Sequence, residues 1–507
     1  MDGDYKNRAI SGFFWHFLMI FLSAPLSYLV RIIYDRNIPI VEVGLFYATL
    51  DLISIIAVIR ELGLNYSLVH FIPKLHAKKK KGVIKAVILL TARVQLAVSA
   101  TVTLFTIIFS RQIVLYYLAR RTEIPDVRIA TAVVILGAIG AIIDCMTGIS
   151  VSSVLGFQEQ KLYSFFNTIK MGSVLAVSSI MIFIFNVRNA IAPSVAYLLT
   201  PAVLFIIYSY FLVKRAFPEF FRVRAEFSRK LLSQIVRYAI PLAASSIGIL
   251  VMVSIDGICL TYFSGLEQVG IYKNAVVPTA NLLLYLPAAI TAVLFPMFSE
   301  LWAKGKKKII SAGISQVVNY SLIIILPLAI FIAAFPTVIL NILWTPKNIV
   351  GAQALRLLAL GTIFYTIFVI FSSFIRATGD SIGPMKIVYA SAILNLVGDV
   401  LLIPFMGMTG AALTTLIALA AQAAMAFLIA AKKVEIRIEW KRVLMNTFAA
   451  LTSIIAILIV KEMFNNIILK LAVSAAAYFT VYLVLILTTG VLRVQELKEI
   501  KEKLLSG

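Results

Sequence analysis

The sequence predicts an all-α polytopic membrane protein, and three observations carry that prediction. Hydrophobic residues make up 61% of the 507 positions and charged residues only 14%, with a mean hydropathy of +0.99; an ordinary soluble globule does not have this balance. Apolar runs of about 20 residues or more recur from end to end, each long enough to cross a hydrocarbon core about 30 Å thick as a helix. The cations gather in alternate breaks between those runs rather than along one face. Backbone polar groups in lipid must be satisfied within their own segment, so the runs read as helices.

Taken in order, the apolar windows and their breaks give about fourteen transmembrane helices. The first six lie near 11–34, 43–70, 83–109, 127–155, 162–186 and 190–213, and the next six near 235–263, 270–300, 309–333, 350–376, 385–405 and 408–431. A last pair, near 442–461 and 466–490, stands outside that pattern. The division expected is therefore an N-terminal lobe (1–213), a basic linker (214–234), a C-terminal lobe (235–431), and a C-terminal helix pair with a basic tail (432–507).

Internal echoes support two homologous halves. Val43-Gly44-Leu45-Phe46-Tyr47 opens the second apolar run after Arg31 and Asp35, and Val269-Gly270-Ile271-Tyr272-Lys273 reopens apolar sequence after Asp256 and the polar break at Ser264 to Gln268. Ile113 to Leu118 recurs as Val338 to Leu343, and Ser152-Ser153 recurs as Ser372-Ser373. The three pairs have similar separations, which is the mark of a duplication. Each half holds an even number of helices, so the two six-helix lobes are expected to share one orientation, related by a pseudo-two-fold along the membrane normal.

The positive charge fixes the expected topology. One set of breaks collects Lys74, Lys78 to Lys81 and Lys85; Lys214, Arg215, Arg222, Arg224, Arg229, Lys230 and Arg237; Lys304 and Lys306 to Lys308; and Lys432, Lys433, Arg437, Lys441 and Arg442. The alternate breaks hold only scattered cations, which places both termini in the cytoplasm of a plasma membrane. The net charge of +23 is thereby explained without a nucleic-acid partner. The linker mixes Phe217, Phe220, Phe221 and Phe227 with cations, the composition of an amphipathic segment on the inner surface. Val494, Leu497, Ile500 and Leu504 would line one face of a helix in the tail.

Other classes are disfavoured. The N-terminus runs from Asp2, Asp4, Lys6 and Arg8 into an apolar segment without a small-residue cleavage site, so the first helix is expected to be its own insertion signal. Cys145 and Cys259 fall inside predicted helices and read as small buried hydrophobes. His16, His70 and His76 are too scattered for a metal site. No nucleotide-binding glycine loop or nucleophile elbow occurs and no loop could hold a catalytic domain, so a transporter rather than an enzyme is expected, with no cofactor beyond Na⁺ or H⁺ as a coupling ion.

Charges at membrane depth are the candidate functional residues, since an ionised group at mid-bilayer costs about 2.5–3.5 kcal/mol even on the lenient insertion scale. Arg31, Asp51, Asp256, Lys273, Arg356 and Asp399 lie toward the outer side, and Arg60, Glu61, Arg93, Asp144 and Lys170 toward the inner side. The cations suit an anionic head group in a water-filled cavity between the lobes, and the acids would gate them or bind a coupling ion. For Glu61, Arg93, Asp144 and Lys170 the alternative is pairing between neighbouring helices. Pro278, Pro287 and Pro296 would kink the eighth helix.

Arg31 followed by Val43-Gly44-Leu45-Phe46, the Glu61-Leu62-Gly63-Leu64 run with Phe71-Ile72-Pro73 after it, and Asp256 followed by Val269-Gly270-Ile271-Tyr272 resemble the polysaccharide transporter (Wzx-type) family. That family is grouped with the MATE multidrug exporters and the MurJ lipid flippases. The resemblance spans essentially the whole chain. It implies two six-helix lobes around a cation-lined cavity that opens alternately to each side. It also implies a polyprenyl-linked oligosaccharide as cargo, with membrane lipids and glycan assembly proteins as partners. Arg31, Lys273 and Arg356 would supply the phosphate contacts, with Asp256 pairing with one of these cations in one state. Acids roughly match the cations on the outer side, which keeps a second expectation open: a MATE-like Na⁺- or H⁺-coupled exporter of organic cations, with the ion on Asp256, Asp144 or Glu61.

Overall fold

The computed structural model describes residues 3–61, 63–122, 124, 126–227, 229–460, 463 and 466–492, and its regular structure is helical, with no strand among the described residues. Within the helices, the side chains of 3–14, 16, 17, 20, 57–60, 229–232, 236, 240–247, 249–251, 288, 289, 291–293 and 460 lie outside the description. The chain forms two compact units, residues 1–274 and 275–507.

The first unit contains α1 (Gly3–Asn37), α2 (Ile40–Glu61), α3 (Leu64–Ala77), α4 (Lys81–Ile108), α5 (Val127–Gly156), α6 (Gln160–Ile184), α7 (Ile191–Ala216), α8 (Arg229–Phe263) and α9 (Leu266–Ile271). The second contains α10 (Tyr285–Ala303), α11 (Lys307–Ala334), α12 (Pro336–Leu343), α13 (Pro346–Ala377), α14 (Ile382–Met406), α15 (Met408–Ala431), α16 (Trp440–Ile459) and α17 (Ile467–Thr488). Ten helices among the described residues are long and apolar enough to cross a membrane: α4 to α7, α11, and α13 to α17. The chain is a multi-pass membrane protein.

Two predicted helices are broken. The second is interrupted at Gly63, whose φ of 67° is left-handed and open to glycine at little cost. The eighth begins as the short α9, passes through a π-helical turn at Tyr272–Val276 and a 3₁₀ turn at Leu282–Leu284, and settles into α10 only at Tyr285. Pro278 cannot donate to the carbonyl four residues back, so regular helix is interrupted where the sequence clusters its prolines. In the linker, the chain runs from Phe217 to Phe227 in turns and irregular backbone. The expected apolar face over 494–504 lies outside the described residues.

The echoed segments have the following local structure. Val114–Leu118 is a π-helical turn shortly after α4, and α12 is a short helix just after α11. Ser153 and Ser373 are fully buried near the ends of α5 and α13, and each helix leads into a turn with a positive φ, at Gln158 and Gly379.

Apolar packing closes each unit separately. Leu68, Ile72, Ile84, Val87 and Val154 form the heart of a core joining α3, α4 and α5 in the first. In the second, Phe298, Ile314, Phe371 and Phe374 join α10, α11 and α13, while Phe331 of α11 and Phe335, between α11 and α12, pack in one cluster with Tyr478 and Tyr482 of α17.

That last contact resolves a hydrogen-bonding debt inside α11. Pro327 has no N–H, so the Ile323 carbonyl loses its helical donor. Tyr482 Oη lies 2.7 Å from Ile323 O and donates to it, and Tyr478 Oη, one turn earlier on α17, donates to Pro327 O at 3.2 Å. Asn446 of α16 lies 2.6 Å from the same Tyr482 hydroxyl; with its amide turned so that nitrogen faces Tyr482, Asn446 donates and the tyrosine proton goes to Ile323. We expect Tyr482→Phe to cost about 1–3 kcal/mol, the penalty for a buried carbonyl without a donor. Pro327→Ala in the same background should recover much of it by restoring the internal N–H, read as apparent Tm in a fixed detergent. Equal Tm losses in Tyr482→Phe with and without Pro327→Ala would show that the tyrosine is not capping this carbonyl.

Candidate substrate site

The site is assembled by a close crossing of α2 and α9, the two elements that carry the echoed Val-Gly motifs. A methyl group on Gly44 would fall 1.8 Å from Leu266 O, and one on Gly270 would fall 2.4 Å from Ile40 O. Any side chain at either position would therefore push the helices apart. The contact brings the residues after Gly270 onto the inner faces of α1 and α2. The π-helical turn then places Tyr272, Lys273 and Asn274 in succession, a local widening of the kind found at functional sites.

Arg31 of α1 is held from several directions. Its Nη1 donates to Lys273 O at 2.6 Å and to Tyr47 Oη at 3.0 Å, and the guanidinium carbon stands 5.3 Å from the Tyr47 ring centre. Tyr47 Oη donates to Asn274 Oδ1 at 3.0 Å, and Asn274 Nδ2 returns to Arg31 O at 3.1 Å. The result is a closed ring of hydrogen bonds through α1, α2 and the π-turn.

Lys273 faces the opposite way. Its Nζ pairs with the Asp51 carboxylate, 3.1 Å from Oδ1 and 2.9 Å from Oδ2, and donates to Val253 O at 3.0 Å. Both side chains are only 12% exposed, so the pair meets little screening from water. Space for it exists because α8 carries glycine here. A methyl group on Gly257 would lie 1.8 Å from Asp51 Oδ2 and 2.6 Å from Lys273 Cε. The neighbouring Asp256 is buried and accepts from Tyr272 Oη at 2.8 Å.

Arg31, Asp51, Asp256 and Lys273 are thus gathered in the first unit, with Asp51 as the acid on Lys273 and a tyrosine hydroxyl on Asp256. The other expected residues stand elsewhere. Arg93 is exposed, with its guanidinium 5.1 Å from the Phe227 ring of the linker, and Lys170 lies 5.9 Å from the Phe166 ring on its own helix. Glu61 is half-buried, and its backbone carbonyl accepts from Gln95 Nε2 at 3.0 Å. Asp144 is half-buried beside Cys145, whose thiol contacts Gln95 Oε1 at 3.4 Å. The Arg60 side chain lies outside the described residues. In the second unit Arg356 is exposed at the start of α13, with Nε on Ala333 O at 2.9 Å and Nη1 on Gln353 Oε1 at 3.0 Å. Asp399 is fully buried between α14 and α15, where Thr414 Oγ1 contacts its carboxylate and Asn395 Nδ2 lies 3.3 Å from Thr414 Oγ1.

A search for charge alone misses Tyr47, Tyr272, Asn274 and Gly257. A signal for three of them was present, because Tyr272 and Asn274 flank Lys273 and Gly257 follows Asp256. Tyr47 stands one helical turn before Asp51, on the same face.

The helical architecture is shared with solved transporters. The lipid II flippase MurJ, in an inward closed conformation, matches with a TM-score of 0.75 at 13% identity, over 93% of this chain and 97% of that one. An inward-facing multidrug resistance MATE family transporter matches with a TM-score of 0.69 at 15% identity, over 82% and 98%. The fold is therefore that of the MurJ and MATE transporters. A family model described as "Polysaccharide biosynthesis protein" matches residues 9–302, and a MatE model matches 241–401. An uncharacterized membrane protein of Methanocaldococcus jannaschii, MJ1068, is 37% identical over 99% of both chains. The probable low-salt glycan biosynthesis flippase Agl15 of Haloferax volcanii is 28% identical over 33% of this chain and 34% of its own. The chain belongs to the polysaccharide biosynthesis protein family.

The buried pair sets a stability test. Lys273→Met leaves the Asp51 carboxylate buried without its counter-charge and should cost about 3–5 kcal/mol, whereas Asp51→Asn with Lys273→Met should recover most of the loss. Apparent Tm of the four proteins in one detergent measures the coupling; additive losses would mean that the pair is not a unit.

Proposed function

We propose that this protein is a flippase that moves a polyprenyl-phosphate- or pyrophosphate-linked oligosaccharide from the inner to the outer leaflet of the plasma membrane by alternating access, for surface polysaccharide or glycan assembly. The observation that carries the reading is the Arg31 guanidinium, which is met by two neutral oxygens, with the Lys273–Asp51 pair facing the other way from the same π-turn. Phosphate oxygens accept strong charge-assisted hydrogen bonds from such groups. The family of the chain and the printed activity of the Haloferax volcanii relative support the same cargo class. Non-catalytic transport is the reading that the family and the flippase relative support.

The topology we propose has fourteen spans, both termini cytoplasmic and two six-helix repeats followed by the pair α16–α17. The ten apolar spans are joined in this reading by α1, by α2 with α3, by α8, and by α9 with α10. Arg31 and Lys273 would contact the head group. Asp51 would hold Lys273 when no phosphate is bound, and Asp256 with Tyr272 would steady the π-turn.

Translocation of a fluorescent polyprenyl-pyrophosphate oligosaccharide in proteoliposomes tests this reading. Loss of one charge-assisted contact should slow movement roughly 10- to 100-fold in Arg31→Ala or Lys273→Ala, while Arg93→Gln should move cargo at the wild-type rate. Absence of lipid-linked sugar movement, together with ion-driven efflux of an organic cation, would establish the MATE-like exporter instead.

Asp399 supports a second element of the proposal, coupling to Na⁺ or H⁺. It is a fully buried carboxylate among hydroxyl and amide groups in the second unit, and burial of an acid is tolerated where it is bonded or neutralised. Asp399→Asn should leave folding intact and abolish the dependence of transport on an imposed Na⁺ or proton gradient. Unchanged gradient dependence would remove Asp399 from the coupling role.

A further inference from the structure

The linker from Phe217 to Phe227 is a strap tied at both ends to membrane-crossing helices. It leaves α7 at Ala216 and lies against the beginning of α4, so its position is the boundary where those two helices emerge. Glu226 N donates to Gly82 O at 3.0 Å, Lys85 Nζ donates to Val223 O at 2.8 Å and lies 5.2 Å from the Phe220 ring, and Lys81 pairs with Glu219 at 2.6 Å. Phe217 is buried, its ring 5.5 Å from that of Phe157. Lys81 holds the Glu219 carboxyl below its usual range, chiefly through their hydrogen bond, so the anchor stays ionised at neutral pH.

These contacts sort the cations of this surface into two groups. Lys81, Lys85, Arg93 and Arg215 are engaged in fixing the strap or its flanks, Arg215 through Glu159 at 3.2 Å. Lys78, Lys79, Lys80, Lys214, Arg222 and Arg224 are exposed and make no side-chain hydrogen bond or ion pair among the described residues. Next to Arg222, Phe221 is 76% exposed, although Phe217 and Phe220 just before it pack inward. An aromatic ring turned outward at the edge of the hydrocarbon, with cations beside it in the chain, is the chemistry that seats into anionic head groups.

We propose that the strap is a docking site for anionic phospholipid, with Phe221 inserted at the head-group level and Arg222 and Arg224 on the lipid phosphates. It is separate from the transport site and independent of the cargo assigned there. The anchoring by Lys81 and Lys85 presents these three residues in fixed order, so binding is expected to stabilise the first unit as well as to attract lipid.

The test uses the full-length protein, stripped of lipid in a neutral detergent, with apparent Tm read after addition of phosphatidylglycerol, phosphatidylcholine or inorganic phosphate. Phosphatidylglycerol should raise Tm at low salt and lose most of that effect at high salt, while the other two should do little. Arg222→Gln/Arg224→Gln should change the lipid-free Tm little, since neither side chain makes a hydrogen bond or ion pair among the described residues and Arg222 meets Glu219 only through its charge, and should lose roughly half or more of the lipid shift. Phe221→Ser should weaken it through the apolar contribution. Lys306→Gln/Lys308→Gln, in another basic connection, should keep the full shift. The proposal is overturned if the strap variants retain the shift, if the Lys306/Lys308 variant loses as much, or if phosphatidylcholine or inorganic phosphate is equally effective.

Discussion

The close crossing of α2 and α9 at Gly44 and Gly270 is the constraint on which the site depends. With backbone atoms in direct contact there, the chain after Gly270 has no room to drift. The π-turn then delivers three consecutive polar residues to separate partners, Tyr272 to Asp256, Lys273 to Asp51, and Asn274 to Tyr47 and Arg31. Small residues at helix crossings serve this purpose throughout membrane proteins, where lipid supplies no hydrophobic drive for association. Here the crossing also fixes the register of the polar groups, and Gly257 supplies the third point of clearance.

Much of the architecture was legible because lipid imposes a simple grammar. A run such as Met408–Ala431 is predominantly apolar and lies between Gly407 and Lys432, so its bounds can be read to within a few residues. The echoed Val-Gly motifs were legible too, as two similar strings. That the two motifs pack against each other was not, because sequence repetition says nothing about which copies touch. The breaks at Gly63 and around Tyr272–Val276 were hidden for another reason: both sit inside windows apolar enough on average to read as one helix, and hydropathy does not register a change in backbone hydrogen-bonding pattern. The proline cluster pointed to the second break without revealing that it would be a π-turn.

The candidate site was legible only in part, and the reason is electrostatic. A charged residue in an apolar run announces itself, so Arg31, Asp51, Asp256 and Lys273 stood out. Their pairing did not, because Asp51 and Lys273 are 222 positions apart. Neutral polar groups carry no such signal. Tyr47 looks like any other aromatic in a chain with 20 tyrosines, yet its hydroxyl is the hinge of the Arg31 ring. Arg93 shows the converse: its charge drew attention, while its neighbour in the fold is the Phe227 ring of the linker.

The arrangement around Lys273 bears on how an anion could be both held and released. In the described state its charge is met by one carboxylate, and Arg31 is satisfied by a carbonyl and a phenol, neither of which carries a charge. A phosphate head group arriving here would exchange partners rather than fill an empty field. For Lys273 the exchange replaces one anion by another, so the desolvation cost already met for the ion pair is not incurred again. For Arg31 it replaces neutral acceptors by a charged one, a gain of charge-assisted over ordinary hydrogen bonding. The two cations would therefore play unequal parts under the flippase proposal. Arg31 supplies the net attraction, and Lys273 with Asp51 supplies a counter-anion that can retake its place and help expel the cargo. An organic cation would find the opposite balance, since Asp51 is already neutralised and Arg31 repels it. Under the flippase proposal, the same geometry would favour an anionic passenger.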